Sequence, residues 1–346
     1  RHGVPQAGTY LQQELAIITG ACDAMVVDIQ CIFQNLANVA KCFHTKLITT
    51  HPIARMEQDN VIHIEFDEHH ALEDAERIVK LAIDNFENRK SEVMIPKQKS
   101  PIVAGFGVES VEYHLGGVFR GSYYTLNDNI INGRIRGIGG VVGCNNVRTR
   151  HNESHIQIVK ELLKNDVIVR TNGCNAIACA MEGLLTPESA AVYCGPGLAE
   201  VCETVGIPPV LHLGSCVDNS RILIACAEMV KTGGLGESIA DLPAAASAPE
   251  WMSEKAISIG HYFVASGVYT VFGVTLPVSG APVFQKYIFE EFEKLYGGMW
   301  DLEVDPIKHA HKMIAHIDKK RQALGIDKAR ERVLLDMADR RSMDAA

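Results

Sequence analysis

The sequence predicts an α/β protein with parallel sheets, organised in two domains. Short uninterrupted apolar runs recur along the chain, the pattern of strands buried on both faces. They alternate with longer segments in which apolar residues repeat at helical spacing. At 346 residues the chain exceeds a typical single core, and the polar, proline-bearing stretch SEVMIPKQKSP at 91–101 marks where it divides. The expected domains are residues 1–97 and 98–346.

In the first domain, LQQELAII (11–18) reads as helix, AMVVDIQ (24–30) as a buried strand and IFQNLANVAKCF (32–43) as helix. KLITT (46–50) and VIHIEF (61–66) follow as strands, then one long amphipathic helix over 68–90. In the second domain the expected strands are IVAGF (102–106), the run 135–143, DVIVRT (166–171), PVLHLG (209–214) and YTVFGVT (269–275). Helices are expected over 155–165, 176–185, 188–206 with a Gly-Pro interruption, 220–233, 250–267, 284–298 and 307–324. A last charged surface helix is expected over 327–341.

The composition, 47% hydrophobic and 22% charged, supports a sizeable core. A net charge of -9 and the lack of a Lys/Arg cluster argue against nucleic acid as a partner. No apolar run approaches the ~20 residues of a membrane span. The chain opens RHGVPQAGTY, with neither an initiator Met nor an apolar signal region, so a processed or truncated chain in the cytoplasm is expected. Ten cysteines in so long a chain do not suggest a disulfide scaffold; in a reducing compartment they bind metal or react.

Four of them share a setting. Cys31, Cys144, Cys174 and Cys216 fall at predicted carboxyl ends of strands, where ligands gather in such sheets. Gly143, Gly173 and Gly214 stand just before the last three, allowing sharp turns and close approach to a bulky ligand. A helix N-terminus stabilises thiolate, and turn N–H groups can donate to cluster sulfides. Any single cysteine could instead pack as a small hydrophobe; three in one strand-Gly-Cys context point to an iron–sulfur site. Packing is the reading for Cys22, Cys42, Cys179, Cys194, Cys202 and Cys226, with Cys42, Cys179 and Cys194 held in reserve. There is no paired C-x₂-C, hence no zinc ribbon, and GIGG at 137–140 is no dinucleotide fingerprint.

His69, His70, His309, His311 and His316 read as solvated helix faces. His212 reads as a core histidine, and His151 and His155 suit capping or chemistry equally. Lys255, among Met252, Ala256 and Ile259, either snorkels to solvent or stabilises negative charge on a bound ligand.

The phrases DIQC, GVVGCNN, TNGCNAIACAMEGLL, PPVLHLGSCVDNSR and EWMSEKAISIG resemble, in order, the carboxyl-terminal half of nickel-containing carbon monoxide dehydrogenases. The resemblance covers at least residues 1–325. It implies two Rossmann-like domains, a homodimer and a nickel–iron–sulfur cluster. By it, Cys31, Cys144 and Cys174 match the thiolates on cluster irons and Cys216 the thiolate on nickel. Lys255 matches the active-site lysine that stabilises the metal-bound carboxylate, and Ile259 the apolar residue beside which CO approaches. The implied reaction is the reversible oxidation of CO with water to CO2, two protons and two electrons, passed to an acceptor such as ferredoxin. Acetyl-CoA synthase is an implied partner of the charged tail.

The family's remaining ligands to its outer iron, a histidine and a cysteine, are expected before Arg1. So are the amino-terminal helical domain and its 4Fe-4S relay clusters, so this chain alone is expected to be inactive. Two other readings stand beside this one. The first is a non-catalytic iron–sulfur scaffold without nickel. The second is a thiol enzyme pairing Cys216 with His212, or a metal-free binding domain.

Overall fold

In the computed structural model, which describes residues 6–90 and 92–327, every strand is parallel to its neighbours. The apolar runs build two sheets. In the first, β1 (Ala24–Val27), β2 (Lys46–Thr49) and β3 (Val61–His63) lie in that order, with Val26 beside Ile48 and Ile48 beside Ile62. Helices α1 (Gln13–Ile18), α2 (Leu36–Lys41) and α3 (Ala71–Asn85) accompany it. Ile17, Leu36, Leu47 and Met56 are part of its core.

The second sheet contains β4 (Gly137–Val141), β5 (Val167–Asn172), β6 (Val210–Gly214), β7 (Ala244–Ala248), β8 (Tyr269–Phe272) and β9 (Trp300–Leu302). Their order is β6-β5-β4-β7-β8-β9. Counted from β4 this is 3-2-1-4-5-6, the doubly wound order whose winding reverses between β4 and β7. At that reversal the connections on either side part and leave a crevice at the carboxyl edge.

α4 (Val108–Leu115) and α5 (Tyr124–Ile131) precede these strands, and the helices between them include α6 (Glu153–Lys164), α7 (Gly173–Met181), α8 (Ser189–Tyr193), α9 (Pro196–Val205), α10 (Asn219–Thr232) and α11 (Glu254–Ala265). α12 (Pro282–Lys286), α13 (Phe292–Tyr296) and α14 (Pro306–Ala323) complete the set. α6 and α14 cover one face of the sheet, where Gly139 meets Leu162 and Met313. α10 and α11 lie on the other. Gly260 brings α11 down onto Phe272, whose ring occupies the place a Cβ would need.

Several expectations need correction. IVAGF (102–106) is not a strand: the N–H of Val103 bonds Leu185 O, and those of Gly105 and Phe106 both bond His212 O. β1 ends at Val27, before Cys31. The helix expected over 284–298 is divided by a π-turn at Tyr287–Glu291. His309 is fully buried, bonding Ser247 Oγ at 2.7 Å and Glu303 O at 3.0 Å, and His316 stacks on Tyr269. Neither is a solvated face, because α14 packs on β7 and β8. α4, α5, β7 and β9 were not predicted. The helix expected over 327–341 lies, but for Asp327, outside the described residues.

Candidate metal centre

The strands deliver the cysteines. Cys144 follows the end of β4, Cys174 stands in the first turn of α7 just past β5, and Cys216 follows β6. Gly143, Gly173 and Gly214 have φ of +108°, +64° and +138°, so each turn uses backbone that L side chains rarely adopt. A Cβ on Gly173 would overlap the sulfur of Cys216. Cys31 comes from the other sheet, in the connection after β1, and itself takes the left-handed conformation at φ +56°.

Cys144 and Cys174 are buried, Cys31 and Cys216 half-buried. Burial is the main cause pushing the Cys31 thiol up to about 12, followed by the charges of Cys144 and Cys174, with Lys255 opposing. Burial likewise raises Cys174 to about 11, against the backbone N–H groups of Tyr10 and Asn145. Cys216 is raised by burial, then by Cys174, Cys144 and Cys31. Cys216 therefore feels the three others, and the four line adjoining cavities in overlapping sets: Cys144 with Cys216, Cys31 with Cys144, and Cys31 with Cys174 and Cys216. The raised thiols of Cys31, Cys174 and Cys216 stay protonated until a cation reverses the balance, as a coordinated metal does.

Three side chains pin the cysteine backbones. Gln13 Nε2 donates to Cys31 O, His155 Nε2 bonds Cys144 O at 2.8 Å, and Asn219 Nδ2 donates to Cys216 O at 2.8 Å. Tyr10 Oη donates to Asn145 O at 2.6 Å, closing the site against the first sheet. Sequence reasoning missed Gln13, Tyr10 and Asn219. The asparagine beside GSCVD was the available signal, since a polar residue three after a ligand returns to its carbonyl.

Among the described residues no three His, Cys, Asp or Glu side chains close around a single ion. Four soft thiols lining adjoining cavities suit a cluster of several metal atoms, each held by its own cysteine. Ser253 Oγ lies 4.0 Å from Cys144 Sγ. Lys255, in the first turn of α11, is half-buried and makes no hydrogen bond or ion pair among the described residues, while its charge acts on Cys31. Ile259, one turn on, lines a narrow cavity with Cys144 and Cys216.

The other candidates fall away from the site. His212 is buried, with Nε2 3.2 Å from the backbone nitrogen of Gln6 and Nδ1 3.3 Å from that of Gly214, of which a neutral ring accepts from one only, and it makes no hydrogen bond to Cys216. The thiol–base pair is therefore not formed. Burial holds His212 below the ordinary imidazole range. His151 is exposed, as are His69, His70 and His311. Cys179, Cys202 and Cys226 pack as core residues, whereas Cys42 is exposed.

The Prismane/CO dehydrogenase family matches residues 1–307. Carbon monoxide dehydrogenase 1 of Methanosarcina mazei is 50% identical over 328 residues, 94% of this chain and 51% of the relative. The carbon monoxide dehydrogenase/acetyl-CoA synthase subunit beta of Moorella thermoacetica is 37% identical over 95% of this chain and 50% of its own length. Among solved structures, a Ni-free, as-isolated carbon monoxide dehydrogenase from Thermococcus sp. AM4 superposes with a TM-score of 0.82 at 50% identity, covering 93% of this chain and 50% of that one. The chain thus spans about half the length of the relatives it matches.

Proposed function

Because the chain belongs to the Prismane/CO dehydrogenase family, we propose that it forms the cluster-holding part of a carbon monoxide dehydrogenase. The whole protein would oxidise CO with water, reversibly, to CO2, two protons and two electrons. The observation that carries this is the meeting of four thiols from four separate strand connections around adjoining cavities.

In this reading Cys31, Cys144 and Cys174 hold irons and Cys216 holds nickel in a nickel–iron–sulfur cluster. Such a cluster supplies a soft metal for carbon, a Lewis acid for water and a store for electrons. Gln13, His155 and Asn219 fix the cysteine carbonyls and so aim the thiols. Lys255 brings an unpaired cation to the site, placed to stabilise negative charge on the substrate oxygens. Ile259 keeps the adjoining cavity wall apolar where CO enters.

Residues 1–97 and 98–346 are read as two Rossmann-like domains. The proposal extends to a homodimer working anaerobically in the cytoplasm, with relay clusters in the remainder of the protein. Electrons pass to a ferredoxin-type acceptor, and acetyl-CoA synthase is the candidate partner, in keeping with the name of the Moorella relative. No helix among the described residues is long and apolar enough to cross a membrane.

The test is CO-dependent reduction of a low-potential dye by the whole protein, purified without oxygen. Turnover that depends on Cys216 supports the reading. A nickel-free protein that holds iron and does not turn over CO would make it a scaffold.

A further inference from the structure

Between β5 and α10 the fold buries a row of polar atoms that find no partner among the described residues. Strand alternation puts Arg170 and Asn172 on one face of β5. Arg170, the bulkiest of the fully buried side chains, is 1% exposed. Its Nη2 lies 3.8 Å from Met229 Sδ, and its Cζ is 5.8 Å from the centre of the Tyr123 ring. Nε and Nη1 have no hydrogen-bond partner, and no carboxylate among the described residues pairs with them. Asn172 is fully buried with neither end of its amide bonded. Asn219 spends Nδ2 on Cys216 O and leaves Oδ1 alone. Asn127 of α5 gives Nδ2 to Met229 O and Gly233 O, and its Oδ1 is also alone.

These positions form a sequence in space. Asn219 bonds the Cys216 carbonyl, and Asn172 precedes Gly173, which abuts the Cys216 sulfur. Arg170 follows one strand repeat below Asn172, and Met229 joins Arg170 to Asn127. The row ends near Tyr123, where Glu112 and Glu228 are within electrostatic reach.

The chemistry of the row identifies its occupant. Arg170 Nε, Arg170 Nη1 and Asn172 Nδ2 are unpaired donors, while Asn172 Oδ1, Asn219 Oδ1 and Asn127 Oδ1 are unpaired acceptors. An anion answers only the donors and a cation only the acceptors; water answers both. Buried polar atoms in native proteins are nearly always bonded, and internal water serves where protein does not. We propose that the seam between β5 and α10 holds a file of internal waters leading to the thiol site, and that this file delivers the water consumed in CO oxidation. The delivery rests on the activity proposed above; the hydration does not. Arg170 sets a fixed positive charge midway along the file. Neutral water passes such a charge, whereas hydronium is repelled. The file thus admits the reactant without carrying the released protons.

A high-resolution crystal structure of the whole protein, with CO-oxidation kinetics of Arg170→Met and Arg170→Lys, tests this. The expected result is ordered water within hydrogen-bonding distance of Arg170 Nε and Nη1, Asn172 and Asn219 Oδ1. Arg170→Met should lose the waters at residue 170 and slow CO oxidation several-fold with KM for CO unchanged, and Arg170→Lys should recover part of both. A dry seam, or an ion in place of the waters, overturns the proposal whatever the activity. Full turnover in Arg170→Met after loss of those waters overturns the delivery. A hydrated seam in a protein that does not oxidise CO upholds the hydration and removes the activity reading instead. If Arg170→Met does not fold, the unaltered protein and Arg170→Lys decide the matter.

Discussion

Gly173 and Cys216 are in contact across the β5 and β6 connections, with the glycine placed where any side chain would overlap the sulfur. Its φ of +64° costs an L residue about 1–2 kcal/mol before the overlap is counted. Gly173→Ala should therefore lower the melting temperature and displace the Cys216 thiol. Nickel content of the whole protein should fall further than iron content. Nickel at the unaltered level, with unchanged melting, would show that the contact does not constrain the sulfur.

Lys255 is a cation at the site without an ion-pair partner among the described residues, so its removal should leave the metal in place. Lys255→Met is expected to retain iron and nickel yet lose about 10²–10³-fold in CO turnover, the usual effect of deleting one donor to developing negative charge. Loss of metal along with turnover would make Lys255 a structural element of the centre.

His309 should make the fold sensitive to acid. Burial holds its imidazole down at about 4, from the ordinary 6.5, while its nitrogens face Ser247 Oγ and Glu303 O. Between these values the unfolded chain binds the proton that the folded chain refuses. The stabilisation is thus fully present above 6.5 and is lost as pH falls towards 4, to about 3 kcal/mol at most. Urea midpoints measured across that window should decline with acid, and His309→Gln should flatten the decline. An equally steep decline in the variant would assign it to other groups, half-buried His316 first among them.

The turns that carry Cys144, Cys174 and Cys216 were more readable than some of the frame around them. Apolar runs of Val, Ile and Leu announced β2, β4, β5, β6 and β8, and the glycines before Cys144, Cys174 and Cys216 announced the turns. β7 escaped because AAASA carries no β-branched or aromatic side chain, and β9 because three residues show no period. IVAGF has strand composition, but its Gly105 turns at φ +89° and its N–H groups go to loop and strand carbonyls instead of a ladder. His309 was misread from the charge around it, although its spacing to Met313 and Ile317 already put it on the apolar stripe of α14. Arg170 was invisible for the opposite reason: a charged residue inside DVIVRT reads as a strand end, yet the structure buries it completely.

The most direct measurement is iron and nickel content of the whole protein, purified without oxygen, with and without Cys216→Ala. The account predicts both metals in the unaltered protein, with iron in excess, and loss of nickel with most iron retained in the variant. Nickel unaffected by Cys216→Ala, or no metal in either protein, would contradict it.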